Sequence, residues 1–300
     1  MNVLRRVFVS LTYDSHLTES QNKVKWGIVK RVMDEGYTPH LFFPSVPPEF
    51  AAQVQREMPW SAERVEEAIQ GSVGAVLIGY PRWRTEGQAL ASEYTHYEAG
   101  VARTVGVPMF MVLEQGTTLR GAYDPSSHQI CDVPAGADAS WLSGPHFEQS
   151  IGPWLDAVRR RFDVFLAYSS KAQGTASNLK RALEDQGAKV LDWRVFGPGT
   201  ILEQIKKAAA CCSGGIFLFT ADDDLEGEAG KAAPRDNVVF EAGYFVHAKG
   251  QKRVLIVLET GDKKTAKMPA DLGGAIYAPL PDRANIEALE GQLKRFLQEL

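Results

Sequence analysis

Short runs of consecutive apolar residues alternate along this chain with longer segments in which apolar residues recur every three or four positions. Gly215–Thr220 is one such run, and Asn285–Leu300 is one such amphipathic segment. The first pattern predicts a buried strand, and the second predicts a helix that packs on a core. Because apolar strands alternate with helices, we predict an α/β fold with parallel sheets covered by helices on both faces.

The same alternation appears in both halves of the chain. In the first half, the predicted strands are Arg6–Leu11, Tyr37–Phe43, Val73–Gly79 and Val107–Leu113, and the predicted helices are Glu19–Glu35, Ser61–Gln70 and Ser92–Val105. In the second half, the predicted strands are Asp163–Tyr168, Ala188–Asp192, Gly215–Thr220, Arg253–Glu259 and Ala275–Leu280. The predicted helices there are Thr175–Gln186, Ile201–Ala210, Asn237–Lys249 with Asp236 as its N-cap, and Asn285–Leu300.

An internal repeat also divides the chain. Residues 93–100 end in Tyr-Glu-Ala-Gly, residues 236–243 end in Phe-Glu-Ala-Gly, and each segment precedes an apolar strand. The two glutamates, Glu98 and Glu241, lie 143 positions apart, which is close to half of the 300 residues. We therefore predict two tandem copies of one domain, at 1–150 and 161–300, with the boundary near 152–161. The proline-rich segment 44–59 has no counterpart in the second copy.

Both glutamates of the repeat lie on the apolar face of a predicted helix. Val238 and Phe245 flank Glu241 at positions i−3 and i+4, so its carboxylate points toward the core. Burying an unpaired carboxylate is unfavourable by on the order of several kcal/mol. Glu241 is therefore either paired, for example with Arg235 or a backbone amide, or it faces a cleft.

Composition and charge argue against several classes of function. The net charge is −4 and the longest basic run is Arg159–Arg161, which disfavours a nucleic-acid surface. Three cysteines, two of them adjacent, and six scattered histidines give neither a disulfide framework nor the spacing of a metal site. No apolar run approaches the ~20 residues of a membrane span, and no signal peptide is apparent. We expect a cytoplasmic protein without membrane, nucleic-acid or metal partners.

Polar and aromatic residues follow the predicted strands of the second half. They are Tyr168–Ser170, Asp192–Arg194, Thr220–Asp224 and Glu259–Thr260. Ligands of doubly wound sheets bind at the carboxyl ends of the strands, and this mixture is typical of a small-molecule pocket, although polar loops are an equal alternative. No glycine-rich phosphate loop follows either first strand, which disfavours dinucleotide dehydrogenases and P-loop enzymes.

Four motifs in the second half occur in an order that resembles a known family. Residues 199–203 open the second helix, residues 219–223 read Phe-Thr-Ala-Asp-Asp, residues 235–245 contain Glu-Ala-Gly, and residues 268–274 contain Pro-Ala-Asp-Leu. Residues 162–280 thereby resemble the bacterial TIR-like nucleotide-binding domains, including those fused to bacterial STING proteins in anti-phage defence. Ala221 departs from the proline usual in that family, and the loop 225–233 is acidic and glycine-rich.

The resemblance implies a flavodoxin-like TIR fold and an NAD+ hydrolase, for which NAD+ is a substrate and not a cofactor. Glu241 stands at the position of the catalytic glutamate, and Asp271 stands at the position of an aspartate close to the nucleotide. The candidate substrate-binding residues are Phe165, Tyr168, Ser169, Trp193, Asp222, Arg235, Asn237 and Asp271. The resemblance further implies an effector of anti-phage immunity that self-associates and answers to an activating protein or a cyclic nucleotide.

The first half resembles TIR-like or nucleoside deoxyribosyltransferase-like folds through residues 97–100 only. It lacks the Thr-x-Asp-Asp and Pro-x-Asp-Leu motifs, so we expect a degenerate copy in which Glu98 marks a vestigial site. Two alternatives to an NAD+ glycohydrolase stay open. One is a nucleotide N-glycosidase or an enzyme that forms a cyclic signal nucleotide, and the other is a nucleotide sensor or assembly adaptor without catalysis.

Overall fold

The computed structural model describes residues 3–125, 129–195, 199–228, 230–261, 264–269, 272 and 274–300. Contacts divide the chain into two compact units. The first unit is Arg5–Arg160, and the second unit is Arg161–Leu300 together with the N-terminal residues, of which Val3 packs against its core. Each unit has its own hydrophobic core.

The first unit is built on a parallel sheet of six strands. The strands of the whole unit, in chain order, are β1 (Arg6–Ser10), β2 (Thr38–Phe42), β3 (Gln55–Glu57), β4 (Ser72–Gly79), β5 (Pro81–Thr85), β6 (Gln88–Ala91), β7 (Met109–Glu114) and β8 (Ile130–Val133). Its helices are α1 (Glu19–Asp34), α2 (Ala62–Gln70), α3 (Glu93–Val105) and α4 (Pro145–Arg159). The sheet order is β3-β2-β1-β4-β7-β8, and β5 and β6 form a separate antiparallel hairpin.

The second unit is built on a parallel sheet of five strands. The strands of the whole unit, in chain order, are β9 (Phe162–Tyr168), β10 (Val190–Asp192), β11 (Cys212–Phe219), β12 (Asp223–Asp224), β13 (Lys231–Ala233), β14 (Val254–Glu259), β15 (Thr265–Ala266) and β16 (Ile276–Leu280). Its helices are α5 (Gln173–Asp185), α6 (Ile201–Cys211), α7 (Asp236–Lys249) and α8 (Glu290–Glu299). The main sheet has the order β10-β9-β11-β14-β16, and β12, β13 and β15 form a small separate sheet.

The strand orders of the two units follow one plan. In each sheet the second strand pairs on one side of the first, and the later long strands follow on the other side. This is the flavodoxin-like order, whose ligand crevice lies where the order reverses, between β1 and β4 in the first unit and between β9 and β11 in the second. The prediction of two tandem flavodoxin-like α/β domains with parallel sheets is confirmed.

Packing on both faces explains why the central strands are apolar throughout. In β9, Val164 and Leu166 belong to one hydrophobic cluster, whereas Phe165 and Ala167 belong to the cluster on the opposite face. Successive side chains of a strand point to opposite faces, so a sheet covered by helices on both sides needs apolar residues at every position.

Reciprocal side-chain caps define where two of the helices begin. Thr200 Oγ1 accepts a hydrogen bond from the Glu203 backbone N–H at 3.3 Å, and the Glu203 carboxylate accepts one from the Thr200 N–H at 3.0 Å. Thr18 and Gln21 form the same capping box at the start of α1. The motif at residues 199–203 therefore has a structural function, which is to start α6.

Four short strands of the first unit were not predicted from the sequence, namely β3 within segment 44–59, β8, and the two strands of the hairpin β5–β6. Two local predictions were wrong. Asp236 is the first residue of α7 instead of its N-cap, since Arg235 holds that position. The last predicted helix is shorter, because a 3-10 turn at Glu287–Leu289 precedes α8.

Candidate functional site

A cavity of about 210 Å³ opens at the carboxyl ends of β9 and β10, beside the first turns of α7. Its lining combines hydroxyls, rings, a cation, an amide and a carboxylate, contributed by Tyr168, Ser169, Ser170, Trp193, Arg235, Asn237, Val238 and Glu241. The sequence-based candidates Tyr168, Ser169, Trp193, Arg235, Asn237 and Glu241 are therefore brought together. Ser170 was expected there as one of the strand-end residues, whereas Val238 was not among the candidates, although it follows the candidate Asn237 in the sequence.

Glu241 is the carboxylate of this cavity. The side chain is largely buried on α7, and among the described residues no hydrogen bond to its carboxylate is found. Burial without compensation raises its pKa to about 7. Arg235, the partner considered from the sequence, pairs instead with Asp223 at 3.2 Å. Of the two alternatives for Glu241, the structure therefore favours a carboxylate that faces a cleft.

Tyr168 and Trp193 form an aromatic wall of the cavity. The Tyr168 hydroxyl donates to the Asp192 carboxylate at 3.0 Å, and Arg194 donates to the same carboxylate at 2.8 Å. The Trp193 ring lies edge-on to the Tyr168 ring, with centroids 6.0 Å apart. Burial and the hydrogen bond to Asp192 raise the pKa of Tyr168 to about 12, so the phenol stays a neutral donor. These contacts hold both rings in place before any ligand binds.

The sequence of the second unit matches a family of known proteins. Residues 163–282 match the family described as CAP12/Pycsar effector protein, TIR domain. This segment is a TIR domain. The match confirms the resemblance identified from the sequence motifs of the second half.

Three known proteins are each similar to part of this chain. One is the uncharacterized protein YuaY of Escherichia coli strain K12, with 33% identity over 114 residues, 37% of this chain and 35% of that protein. Another is the Pycsar effector protein BcPycTIR of Burkholderia cepacia, with 28% identity over 130 residues and 42% of each chain. The third is CD-NTase-associated protein 12 of Lachnospiraceae bacterium strain RUG226, with 31% identity over 105 residues, 34% of this chain and 32% of that protein. The chain thus spans about a third to two fifths of these relatives.

A second group of polar residues supports the loops beside the TIR cavity. Ser169 and Thr220 bring their hydroxyls within 3.4 Å, and the Lys171 ammonium donates to the Asp222 carbonyl oxygen at 2.7 Å. Both carboxylate oxygens of Asp222 are buried without a hydrogen-bond partner among the described residues. Asp222 is not among the described lining of the cavity, so a ligand would have to extend past Ser169 to reach it.

Glu259 holds together two loops of the TIR domain. Its carboxylate accepts hydrogen bonds from Arg283 Nε and Nη2, both at 2.7 Å, and from the Ala221 backbone N–H at 2.6 Å. Burial opposes ionisation, but these donors hold the pKa of Glu259 below its ordinary value. The sequence pattern placed Glu259 among the strand-end residues of a pocket. In the structure, its carboxylate instead joins the loop at Ala221 to the loop at Arg283.

Like Asp222, two further sequence-based candidates are not among the described lining residues of the cavity. Phe165 is 1% exposed and stacks on Phe245 with centroids 5.1 Å apart, so it is a core residue beneath α7 and does not line the cavity. Phe165 lies three residues before the end of β9 and on the face covered by α7, so Phe245 separates its ring from the cavity. Asp271 lies outside the described residues.

Glu98 lies in a cavity of the first unit, at the carboxyl ends of β1 and β2 and beside the first turns of α3. Trp60 Nε1 donates to its carboxylate at 2.9 Å, and burial raises its pKa to about 7. The first unit therefore retains a formed cavity around the glutamate of the repeat.

The described residues also bear on metal binding and on membrane insertion. In the part of the chain that the structure describes, no group of three or more histidine, cysteine and acidic residues is placed to hold a metal ion. Within the same residues, every helix is too short or too polar to cross a bilayer.

Proposed function

We propose that the TIR domain is an NAD+ glycohydrolase with Glu241 as its catalytic carboxylate. The observation that carries this proposal is the Glu241 carboxylate itself, which is largely buried, without a hydrogen-bond partner among the described residues, and open to a cavity lined by rings and hydroxyls. An uncompensated carboxylate destabilises a fold, and such groups concentrate at functional sites. A ligand that brings positive charge to it would supply the missing partner.

The chemistry of NAD+ cleavage needs such a group. The bond between ribose C1′ and the pyridinium nitrogen breaks, its electron pair leaves with nicotinamide as a neutral base, and positive charge develops on the ribose. Water then attacks C1′ and releases a proton to solvent or to the carboxylate. The leaving group needs no general acid, so one fixed anion beside the sugar stabilises the oxocarbenium-like transition state, as carboxylates do in glycoside hydrolysis.

The other lining residues fit the rest of the substrate. Trp193 offers a ring face for stacking, Tyr168 and Ser169 offer hydroxyls for ribose or phosphate oxygens, and Arg235 offers a cation for the diphosphate. Arg235 can be recruited easily, because its pair with Asp223 joins two side chains that are each 48% exposed, and such pairs contribute only about 0–1 kcal/mol. By the family resemblance, Asn237 and Asp271 contact the nucleotide.

We propose the cellular role by similarity. The family description and the names of two relatives contain the words Pycsar effector and CD-NTase-associated. We infer that this chain is an effector of bacterial anti-phage immunity that removes NAD+ in the cytoplasm. We further infer that a nucleotide signal or an activating protein starts the reaction by promoting self-association of the chain.

The experiment compares wild-type protein with Glu241→Gln during incubation with NAD+. Free nicotinamide and ADP-ribose are the expected products, and the variant should lose about 10²–10³ in turnover, as enzymes do when one preorganised electrostatic contact is removed. Glu241→Gln retaining more than ~10% of the turnover would contradict the assignment. The second product also separates the alternatives, because cyclic ADP-ribose indicates a cyclising enzyme, and NAD+ binding without any product when cyclic nucleotides are also present indicates a sensor.

A further inference from the structure

Two adjacent cysteines lie at the amino end of the TIR sheet, and the proposed NAD+ chemistry does not use them. Cys211 is the last residue of α6, and Cys212 is the first residue of β11. Cys212 is fully buried, whereas Cys211 is partly exposed, and their sulfur atoms lie 4.0 Å apart. The TIR cavity opens at the carboxyl ends of β9 and β10, so the cysteines and this cavity lie at opposite ends of the sheet.

Two buried cations accompany these thiols. Arg161 is 7% exposed and directly precedes β9, whose first residue pairs with Cys212. Lys249 is 2% exposed and is the last residue of α7. Among the described residues, the groups whose negative charge favours the charged forms of both cations are the two thiols, and no carboxylate pairs with either. A buried cation is costly without an anion beside it, so this cluster calls for a thiolate.

The Arg161 guanidinium lies against the end of α6. Its Nη1 donates to the Ala210 carbonyl oxygen at 2.6 Å, directly before Cys211, and its Nε is buried without a hydrogen-bond partner among the described residues. The carbonyl end of a helix disfavours an anion, and the hydrogen bond from Arg161 offsets that effect here. Because an arginine stays protonated in proteins, Arg161 is a permanent cation next to Cys211.

The protonation of the other three groups agrees with a thiolate at Cys211. Burial raises the pKa of Cys212, so its thiol stays a neutral donor. A hydrogen bond from that thiol, followed by the charges of Arg161 and Lys249, lowers the pKa of Cys211 to about 7, although burial opposes this. Burial, followed by the charges of Arg161 and Arg253, lowers the pKa of Lys249 to about 7, and a thiolate beside it favours the charged ammonium.

We propose that Cys211 is a redox modification site, a thiolate that Arg161, Lys249 and the Cys212 thiol hold in its ionised form and that reacts with peroxides. Reactive cysteines are partly exposed and lie near cations, as Cys211 does. The thiolate attacks one peroxide oxygen, an S–O bond forms as the O–O bond breaks, and hydroxide leaves and takes a proton from solvent to become water. The sulfur is oxidised by two electrons to a sulfenic acid, and the peroxide is reduced.

The expected product is the sulfenic acid of Cys211 and not a disulfide with Cys212. The Cα atoms of adjacent residues lie about 3.8 Å apart across a trans peptide bond, whereas disulfides usually join Cα atoms roughly 4.4–6.8 Å apart. The third cysteine, Cys131, is an internal control in the first unit. Its thiol is buried, and burial raises its pKa to about 11, so it should stay unreactive.

Peptide mass spectrometry of the full chain tests this proposal with two reagents. After treatment with hydrogen peroxide and dimedone, which traps sulfenic acids, the label should lie on Cys211, with less than about a tenth as much on Cys131 or Cys212. The rate of alkylation of Cys211 by iodoacetamide should reach half its maximum near pH 7. At pH 7 it should exceed the rate at Cys131 by at least ~10-fold.

Variants of the cluster show whether its charges activate Cys211. Lys249→Met removes the ammonium but keeps a long unbranched side chain, and it should raise the midpoint and slow alkylation of Cys211 at pH 7 by about threefold or more. Lys206→Met is the matched control, because Lys206 is exposed on α6 and its loss changes the net charge equally. It should leave the rate unchanged. Cys212→Ala removes the thiol donor and should also raise the midpoint, which keeps the test decisive if Lys249→Met fails to fold.

Three results would overturn the proposal. They are an absence of dimedone on Cys211, an alkylation midpoint at or above the ordinary value of about 8.5, and an unchanged midpoint in folded Lys249→Met or Cys212→Ala.

Discussion

Glu98 and Glu241 occupy equivalent places in the repeat but differ in their surroundings. The pKa of each carboxyl is raised to about 7 by burial. Glu98 accepts a hydrogen bond from Trp60 Nε1, whereas Glu241 lacks such a partner among the described residues. The sequence placed both on apolar helical faces but did not distinguish them, because the Trp60 donor lies 38 positions from Glu98.

The raised pKa of Glu241 predicts how activity depends on pH. Only the ionised carboxylate stabilises a cationic sugar, so kcat/KM for NAD+ should rise with pH, reach half its maximum near pH 7 and level off above it. The pyridinium of bound NAD+ favours the ionised form, so the kcat profile should have a lower midpoint. Initial rates of nicotinamide release from pH 5 to 9 measure both. A rate that falls between pH 6 and pH 8 would exclude Glu241 as the required anion.

The raised pKa of Glu241 also predicts how the stability of the folded chain depends on pH. Glu241 binds its proton more tightly in the folded chain, with a pKa of about 7, than at its ordinary value of 4.5. The folded state therefore loses stability as pH rises from about 4.5 to about 7. Glu241→Gln carries no charge and should raise the free energy of unfolding by about 1–2 kcal/mol at pH 8, allowing for partial exposure.

Thermal unfolding at two pH values checks this stability prediction. The gain in Tm from Glu241→Gln should be clear at pH 8 and nearly absent at pH 4, where the wild-type carboxyl is protonated in both states. Equal gains at the two pH values would show that the glutamine acts through packing and not through charge.

At the scale of elements, α7 determines where Glu241 lies. Phe245, one turn after Glu241, packs against Phe165 of β9 and Phe217 of β11, with ring centroids 5.1 and 5.3 Å away. A Cβ atom added at Gly215 in β11 would lie 2.6 Å from the Phe217 ring and 2.9 Å from the Phe245 ring. Glycine at this position therefore lets α7 approach the sheet closely.

Two glycine variants test how closely α7 packs on the sheet. Gly215→Ala should force the rings and the helix outward, lower the free energy of unfolding by about 1–3 kcal/mol, and reduce NAD+ cleavage. Gly243→Ala, in the helix itself, meets no atom within 4 Å and should stabilise the protein by about 0.5–1 kcal/mol through its helix propensity. Chemical denaturation with an NAD+ assay measures both. Gly215→Ala with unchanged stability would mean that the core relaxes around the added methyl group.

The elements also show what a single sequence could and could not predict. Long strands and helices were found because their apolar residues repeat over many positions. The elements β3, β5, β6 and β8 have three to five residues with mixed polarity, so their pairing depends on distant neighbours. In the candidate site, strand ends and the Glu-Ala-Gly helix predicted most of the lining of the cavity. Phe165 lies outside the lining because Phe245, 80 positions away in the sequence, covers its ring, and a single sequence does not show that contact.

At the scale of the whole molecule, the chain is a tandem of two units with one strand order and different sites. The family match covers residues 163–282, in the second unit. The repeat in the sequence was sufficient to predict two related folds. The missing Thr-x-Asp-Asp and Pro-x-Asp-Leu motifs predict a degenerate first copy, and the structure shows that this copy contains a cavity around Glu98.

The central claim is that NAD+ cleavage belongs to the TIR domain and to Glu241. The most direct measurement compares Glu241→Gln with Glu98→Gln in the full chain, under identical conditions, by the rate of nicotinamide release from NAD+. We expect Glu241→Gln to lose at least ~10²-fold in rate and Glu98→Gln to keep the wild-type rate, because one carboxylate meets the reacting sugar and the other lies in a separate unit. Loss of activity in Glu98→Gln together with full activity in Glu241→Gln would contradict the account and assign catalysis to the first unit.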